Sequence, residues 1–323
     1  MTRRSVRRVV APLLALAVLA GCAHEPAATA RAVQVSDEPD LSVYEKYFPG
    51  QPGAIDLVVS QMLWGWDRTG PYGWVNRDKR TEHTVVRGGK RVTLDVDDPE
   101  VTIWMFGGST TFGVGQRQDR TIASRLVALA GERGVRVRVV NHGVSGYVNW
   151  QESAWLADQL ESGERPDLAI FLDGANETAL AIEREAYGLL DPAKTYSLSM
   201  EDAQRDALAK AAKARGYRPT GDLEQAAQVA AAQYRRGADL AREAGSRAGV
   251  EVELFWQPHL YTMPLDRPLV RAALEQWDID PDYQQDVGVL ARRIAELSGA
   301  EPVDLTHVLD DVTGPVFFDQ SHS

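Results

Sequence analysis

From Val101 onward the chain alternates short apolar runs with longer amphipathic stretches, and this alternation restricts the possible folds more than any other feature. Val101-Thr-Ile-Trp-Met-Phe106 reads as a buried strand. Thr121 to Arg133 reads as an amphipathic helix ending at Gly134, and Val135 to Val140 as a second strand with interleaved arginines. Trp150 to Leu160 is helical in pattern. Asp167 to Leu172, Val250 to Trp256 and Pro302 to Leu305 give a third, fourth and fifth strand. Strands separated by helical segments predict an α/β fold, a parallel sheet with helices on both faces. Ligands of such sheets bind at the carboxyl ends of the strands.

The remainder of the 323 residues divides by composition. Residues 22–40 are rich in Ala, Pro and charge, lack apolar periodicity and read as a flexible tether. Residues 41–323 form the expected globular domain, with residues 41–99 as an aromatic, turn-rich N-terminal extension. In that extension Trp64, Trp66, Tyr72 and Trp74 fit either a core or the lining of a carbohydrate or acyl groove. Thr84-Val85-Val86, Gly88-Gly89 and Arg91-Val92-Thr93-Leu94 read as a hairpin. Residues 177–249 form an insertion rich in Ala, Arg, Gln and Glu, with helices expected over Met200–Arg215 and Leu223–Ala244. It is either a packing layer on the sheet or a lid over the site.

The first 21 residues carry Arg3, Arg4, Arg7 and Arg8, then an apolar run from Val9 to Ala20. A basic start, a short apolar run and small residues before a boundary describe an export signal. The run is too short for a spanning helix, which needs about 20 residues. Leu19-Ala20-Gly21-Cys22 resembles the lipobox of bacterial lipoproteins, which implies acylation of Cys22 and attachment of the protein to the outer face of a membrane. Cys22 is the only cysteine, so an intramolecular disulfide is excluded. The net charge is −11, and without residues 1–21 the chain holds 31 basic and 46 acidic residues, a net −15. So acidic a surface repels phosphate backbones, and nucleic acid is not an expected partner.

Four short segments fall just after predicted strands. The first is Phe106-Gly107-Gly108-Ser109-Thr110-Thr111-Phe112-Gly113, whose glycines permit a tight strand-to-helix turn with a serine at the sheet edge. It has no lysine of a phosphate loop and no dinucleotide G-x-G-x-x-G. The second, Asn141-His142-Gly143-Val144-Ser145-Gly146, offers a glycine amide that a substrate oxygen can approach. The third, Asp173-Gly174-Ala175-Asn176-Glu177, offers an Asn side chain as a further donor. The fourth, Phe317-Phe318-Asp319-Gln320-Ser321-His322, sets an Asp and a His three residues apart, where the carboxylate can orient the imidazole.

Taken in order, these four segments resemble the SGNH (GDSL-like) hydrolase superfamily in a Gly-Gly-Ser-Thr-Thr variant, over about two thirds of the chain from Val101 to the C-terminus. The resemblance implies a three-layer α/β/α sandwich with a five-stranded parallel, flavodoxin-like sheet. It implies Ser109 as nucleophile and Asp319 with His322 as its base. It implies an oxyanion hole built from the Ser109 amide, the Gly146 amide and the Asn176 side chain. Such a triad acts through an acyl-enzyme that water then hydrolyses. Two positions depart from the family pattern: Gly108 stands where Asp is usual before the nucleophile, and Glu177 where Asp is usual after Asn176. The sequence ends at Ser323, one residue past His322, where family members continue into a closing helix. The expectation is therefore either a truncated chain or a base on a fraying end.

Of the other histidines, His259 follows the fourth strand and is a candidate pocket residue or alternative base. His142 and His307 read as structural, and His24 and His83 lie in the tether and before the hairpin. No histidine pair has the H-E-x-x-H spacing, so neither metal nor cofactor is expected. Asp97-Asp98 and Asp310-Asp311 sit in polar turns and read as solvated, against a glycosidase. Family and predicted location together imply an esterase removing acyl groups from a glycan or lipid of the cell envelope. An O-acyltransferase with the same triad and a non-catalytic glycan-binding module are the alternatives.

Overall fold

The computed structural model describes residues 12–17, 66–67, 72–81, 83–186, 223–312 and 317. Ten strands are described: β1 (Trp66–Asp67), β2 (Val75–Asn76), β3 (Lys79–Arg80), β4 (Val85–Arg87), β5 (Lys90–Arg91), β6 (Val101–Gly107), β7 (Val137–Asn141), β8 (Leu168–Asp173), β9 (Glu251–Trp256) and β10 (Val303–Asp304). The last five are the predicted strands. They pair in parallel in the order β10-β9-β8-β6-β7, the flavodoxin order.

The sheet is larger than the five strands expected. The predicted hairpin turns at Gly88 and Gly89, both with positive φ (57° and 74°), as a two-residue turn between twisted strands requires. Its strand β5 pairs antiparallel with β7 through Arg91 and Asn141, and β4 and β3 follow outward, giving eight strands in one sheet. The N-terminal extension thus covers the β7 edge, which would otherwise present unpaired amides and carbonyls.

Side chains of β6 alternate between two apolar faces. Trp104 and Phe106 enter one core with Phe171 and Leu254, and Ile103 and Met105 enter the other with Val139, Ile170 and Phe255. The first face is covered by α3 (Asn149–Glu161), α4 (Ala175–Ala186), α5 (Leu223–Ala248) and α7 (Pro281–Ser298), through residues such as Trp155, Ala181, Ala230, Tyr234 and Ile294. The second is covered by α2 (Ile122–Glu132), through Ile122, Leu126 and Ala130. This is the three-layer α/β/α arrangement. Residues 12–17, within the predicted export signal, are helical, and Leu13, Leu14 and Ala17 are buried in that second layer. Two further short α-helices are described, α1 (Ser109–Phe112) and α6 (Pro268–Gln276).

The described part of the insertion is a packing layer. An alanine stripe (Ala226, Ala227, Ala230, Ala231, Ala238, Ala241) lets α5 lie close on the sheet side of the molecule. The helix expected at Met200–Arg215 lies outside the described residues, as do Trp64 and the tether. Among the described residues no helix is long and apolar enough to cross a membrane.

Thr121 caps α2 by accepting from the Ser124 amide at 3.1 Å, and it is fully buried. Thr121→Ala is expected to lower stability by about 1 kcal/mol, read as a shifted urea midpoint at unchanged slope; an unshifted midpoint would show that the cap contributes nothing.

Candidate active site

Strand register brings three of the four segments to one edge. Met105 pairs with Asn141, and Gly107 with Leu172, so β6, β7 and β8 end side by side. The loop after β7 then runs along the end of β6, with His142 N donating to Met105 O (2.8 Å) and Val144 N to Gly107 O (3.0 Å). Ser109 begins α1 immediately beyond β6 and is half-buried.

Close approach explains the glycines here. A Cβ on Gly108 would stand 2.2 Å from Asn176 Nδ2, so the Asn176 amide packs against the backbone beside Ser109. A side chain at position 108 would have to displace the Asn176 amide. A Cβ on Gly143 would stand 2.2 Å from Phe112 N, so the β7–α3 loop lies directly on α1. Asn141 reinforces that contact by donating to Thr111 O (2.7 Å) and accepting from Gly143 N (2.8 Å).

Asn176 Nδ2 also donates to Tyr147 O at 2.7 Å, one residue past Gly146. Asn176 therefore touches both the Ser109 turn and the Gly146 loop. Its amide nitrogen carries two hydrogens, so one remains for a ligand. Gly146 has φ +80° and is exposed, and no hydrogen bond among the described residues takes up its N–H. Ser109, Gly146 and Asn176 thus converge, while Asp319, His322 and Cys22 lie outside the described residues.

Glu177 holds this arrangement together. Its carboxylate accepts from Asn149 N (2.8 Å) at the start of α3 and from Gly174 N (2.7 Å) at the start of α4. Anions are favoured at both helix starts. The segments carrying Gly146 and Asn176 are thereby tied to one carboxylate. Glu177 thus clamps the two loops that carry the candidate donors.

Behind Glu177 lies a buried acid cluster that sequence reading did not find. Asp173 and Glu152 are fully enclosed, and Asn149 Nδ2 donates to Asp173 Oδ2 at 2.8 Å. Burial, then the neighbouring Glu177 charge, pushes Asp173 up from 3.8 to about 8. Burial, then Asp173, then Glu177 raise Glu152 well above its ordinary value. Glu152 lies against Asp173, and the buried Tyr234 hydroxyl faces Asp173 as well. A proton on Glu152, donated to Asp173, gives one oxygen of each a partner. The only sequence signal was an acid, Glu152, on the same helix face as Leu156 and Trp155, which looks like any surface Glu until the partner helix is in place.

On the opposite flank Arg91 is buried, and among the described residues its guanidinium is met by carbonyl oxygens. Its guanidinium donates to Phe112 O (2.9 Å), Gly113 O (2.5 Å) and Gln116 O (2.6 Å), and lies 5.0 Å over the Phe112 ring. It caps the carbonyl end of α1 and so fixes the segment that begins with Ser109.

His142 is stacked on Phe106 at 4.5 Å and edge-on to Trp155, and burial, with Lys90 nearby, lowers it to about 3. It is a neutral core residue, as expected. His259 is buried, lowered to about 4 by burial, and no described contact joins it to Ser109. His307 forms an exposed pair with Asp310 (Nδ1–Oδ2 2.9 Å). No group of His, Cys, Asp and Glu suited to a metal occurs among the described residues.

No protein-family model matches the chain, and no curated protein matches it. Among solved structures the chain is similar to AlinE4, an SGNH-hydrolase family esterase (16% identity over 67% of this chain and 79% of that one, TM-score 0.35). It is similar to EstA, a psychrotrophic esterase from Pseudoalteromonas sp. (12%, 64% and 77%, TM-score 0.32). It is also similar to Axe2, an acetyl xylan esterase from Geobacillus stearothermophilus (14%, 65% and 81%, TM-score 0.28). At these TM-scores no activity is carried over from them.

The acid cluster makes stability depend on pH in a defined direction. Raised carboxyl groups keep their protons in the folded chain after the unfolded chain has lost them. The cluster's contribution to stability is therefore fully present below the ordinary carboxylate range and is lost as pH rises from about 4 toward about 8. Glu152→Gln, which keeps a donor toward Asp173, is expected to flatten this decline in urea unfolding at pH 5 and pH 8. An equal loss at both pH values would exclude a shared proton.

Proposed function

We propose that the chain is a serine esterase of the SGNH type. The carrying observation is that Asn176 Nδ2 contacts both the Ser109 turn at Gly108 and the Gly146 loop at Tyr147 O. In this reading three residues from three separate loops serve one point at the sheet edge. In this reading Ser109 Oγ attacks an ester carbonyl. His322 takes its proton and later returns it to the leaving alcohol, while Asp319 holds the imidazole in the required tautomer. The Ser109 and Gly146 amides and the free hydrogen of Asn176 Nδ2 stabilise the oxyanion; losing one such donor typically costs about 3–4 kcal/mol in the transition state. Water then attacks the acyl-enzyme from the same base. Neither a metal nor a cofactor is required.

The substrate class follows from location. The basic start, apolar run and Cys22 support export and acylation, which would hold the domain at the cell envelope. O-acyl groups on an envelope glycan or lipid are the esters available there.

Two experiments test this. p-Nitrophenyl acetate and longer esters are expected to turn over with the parent, with a loss of about 10⁴-fold or more in Ser109→Ala and His322→Ala. His259→Ala is expected to retain activity; loss with His259→Ala alone would reassign the base. Folded parent with no ester turnover would sink the esterase. The second measurement is the intact mass of the membrane fraction, expected to start at Cys22 with added acyl chains. A mass that includes residues 12–17 would instead make Leu13, Leu14 and Ala17 permanent members of the second core layer.

A further inference from the structure

We propose that Trp74, in the N-terminal extension, is a positioning residue that aims the Gly146 N–H at the point in front of Ser109; the inference rests on the serine hydrolase reading above. Trp74 Nε1 donates to Ser145 O at 3.0 Å. Ser145 O and Gly146 N belong to one peptide unit, and in a planar trans peptide the C=O and N–H point in opposite directions. Fixing the oxygen on the indole therefore fixes the direction of the N–H. The same hydrogen bond polarises that peptide and strengthens its donor.

The surroundings make this a built contact. The Trp74 ring lies against Gly146, where a Cβ would stand 3.2 Å from Cζ2, and Gly146 holds φ +80°. Tyr147 OH donates to Trp74 O, and the two rings meet edge-on at 5.5 Å. Asn76, two residues on, donates to Gly143 O at 2.8 Å. The extension thus grips the loop on both sides of Gly146, and only the Trp74 bond acts on the peptide that carries the donor. Gly146 N–H itself is unclaimed among the described residues.

A preorganised donor acts on the transition state more than on the bound substrate. In the full chain, Trp74→Phe is expected to lower kcat about tenfold with KM nearly unchanged, in line with loss of one hydrogen bond. Substituting β-(3-benzothienyl)alanine, which keeps the bicyclic shape and removes only the N–H, is expected to give the same loss and decides the matter should Trp74→Phe fold poorly. The Gly146 amide ¹⁵N resonance, sensitive to a hydrogen bond on the Ser145 carbonyl, is expected to move in the analogue, while the glycines of the opposite layer stay. Unchanged kcat, or an unmoved Gly146 resonance, overturns the role of Trp74. Ester turnover that survives Ser109→Ala overturns the hydrolase reading and this one with it, whereas turnover abolished by Ser109→Ala but indifferent to the indole N–H overturns this one alone.

Discussion

The Glu177 carboxylate, accepting the amides of Asn149 and Gly174, is the contact on which the site geometry depends. A loop amide and a side-chain amide on different segments can serve one oxygen only if those segments are held in a fixed relation. Backbone hydrogen bonds carry the β7 loop along the end of β6 only as far as Val144, and Glu177 adds a tie at the far end of that loop, at Asn149. A charged acceptor at two helix starts supplies it, in a position where the partial positive charge of each helix favours the anion. Burial raises the Glu177 pKa while the two amides oppose the rise, so the clamp is a balance between desolvation and hydrogen bonding.

The second requirement is close approach. Gly108 admits Asn176, Gly143 admits α1, and Gly107, with φ +153°, lies where a Cβ would meet Thr111 Oγ1 at 2.1 Å and Leu172 O at 2.8 Å. Each contact brings one backbone segment onto another with no side chain between. Larger residues at these points would force the loops apart. Arg91 completes the frame from outside by taking up the carbonyls at the far end of α1. The N-terminal extension therefore serves the site as well as the sheet edge: it contributes Arg91, Trp74 and Asn76, each bound to a loop that carries or borders a candidate residue.

Much of the fold was legible in the sequence because it rests on local pattern. Alternating apolar strands and amphipathic helices named the five parallel strands within a residue or two at most ends, and Gly88-Gly89 named the hairpin. The order of Ser109, Gly146 and Asn176 after successive strands was readable because parallel strands deliver their carboxyl ends to one edge. The pairing of the hairpin with β7 was not readable, since a single bridge between Arg91 and Asn141 decides it. The acid cluster was hidden too, because Glu152 and Asp173 are 21 residues apart and differ from solvated acids only in what packs over them.

By itself, then, the sequence determined the element order, the parallel sheet and which residues stand at its carboxyl edge, because those follow from hydrophobic period and from glycine at turns. The tertiary structure decided which neighbours those residues meet. It set Asn176 between Gly108 and Tyr147, made Glu177 a clamp, left Glu152 and Asp173 to share a proton, and turned Trp74 toward the Ser145 carbonyl. These are contacts across 20 to 80 residues of chain, and their energies depend on distance and desolvation, which no local pattern encodes.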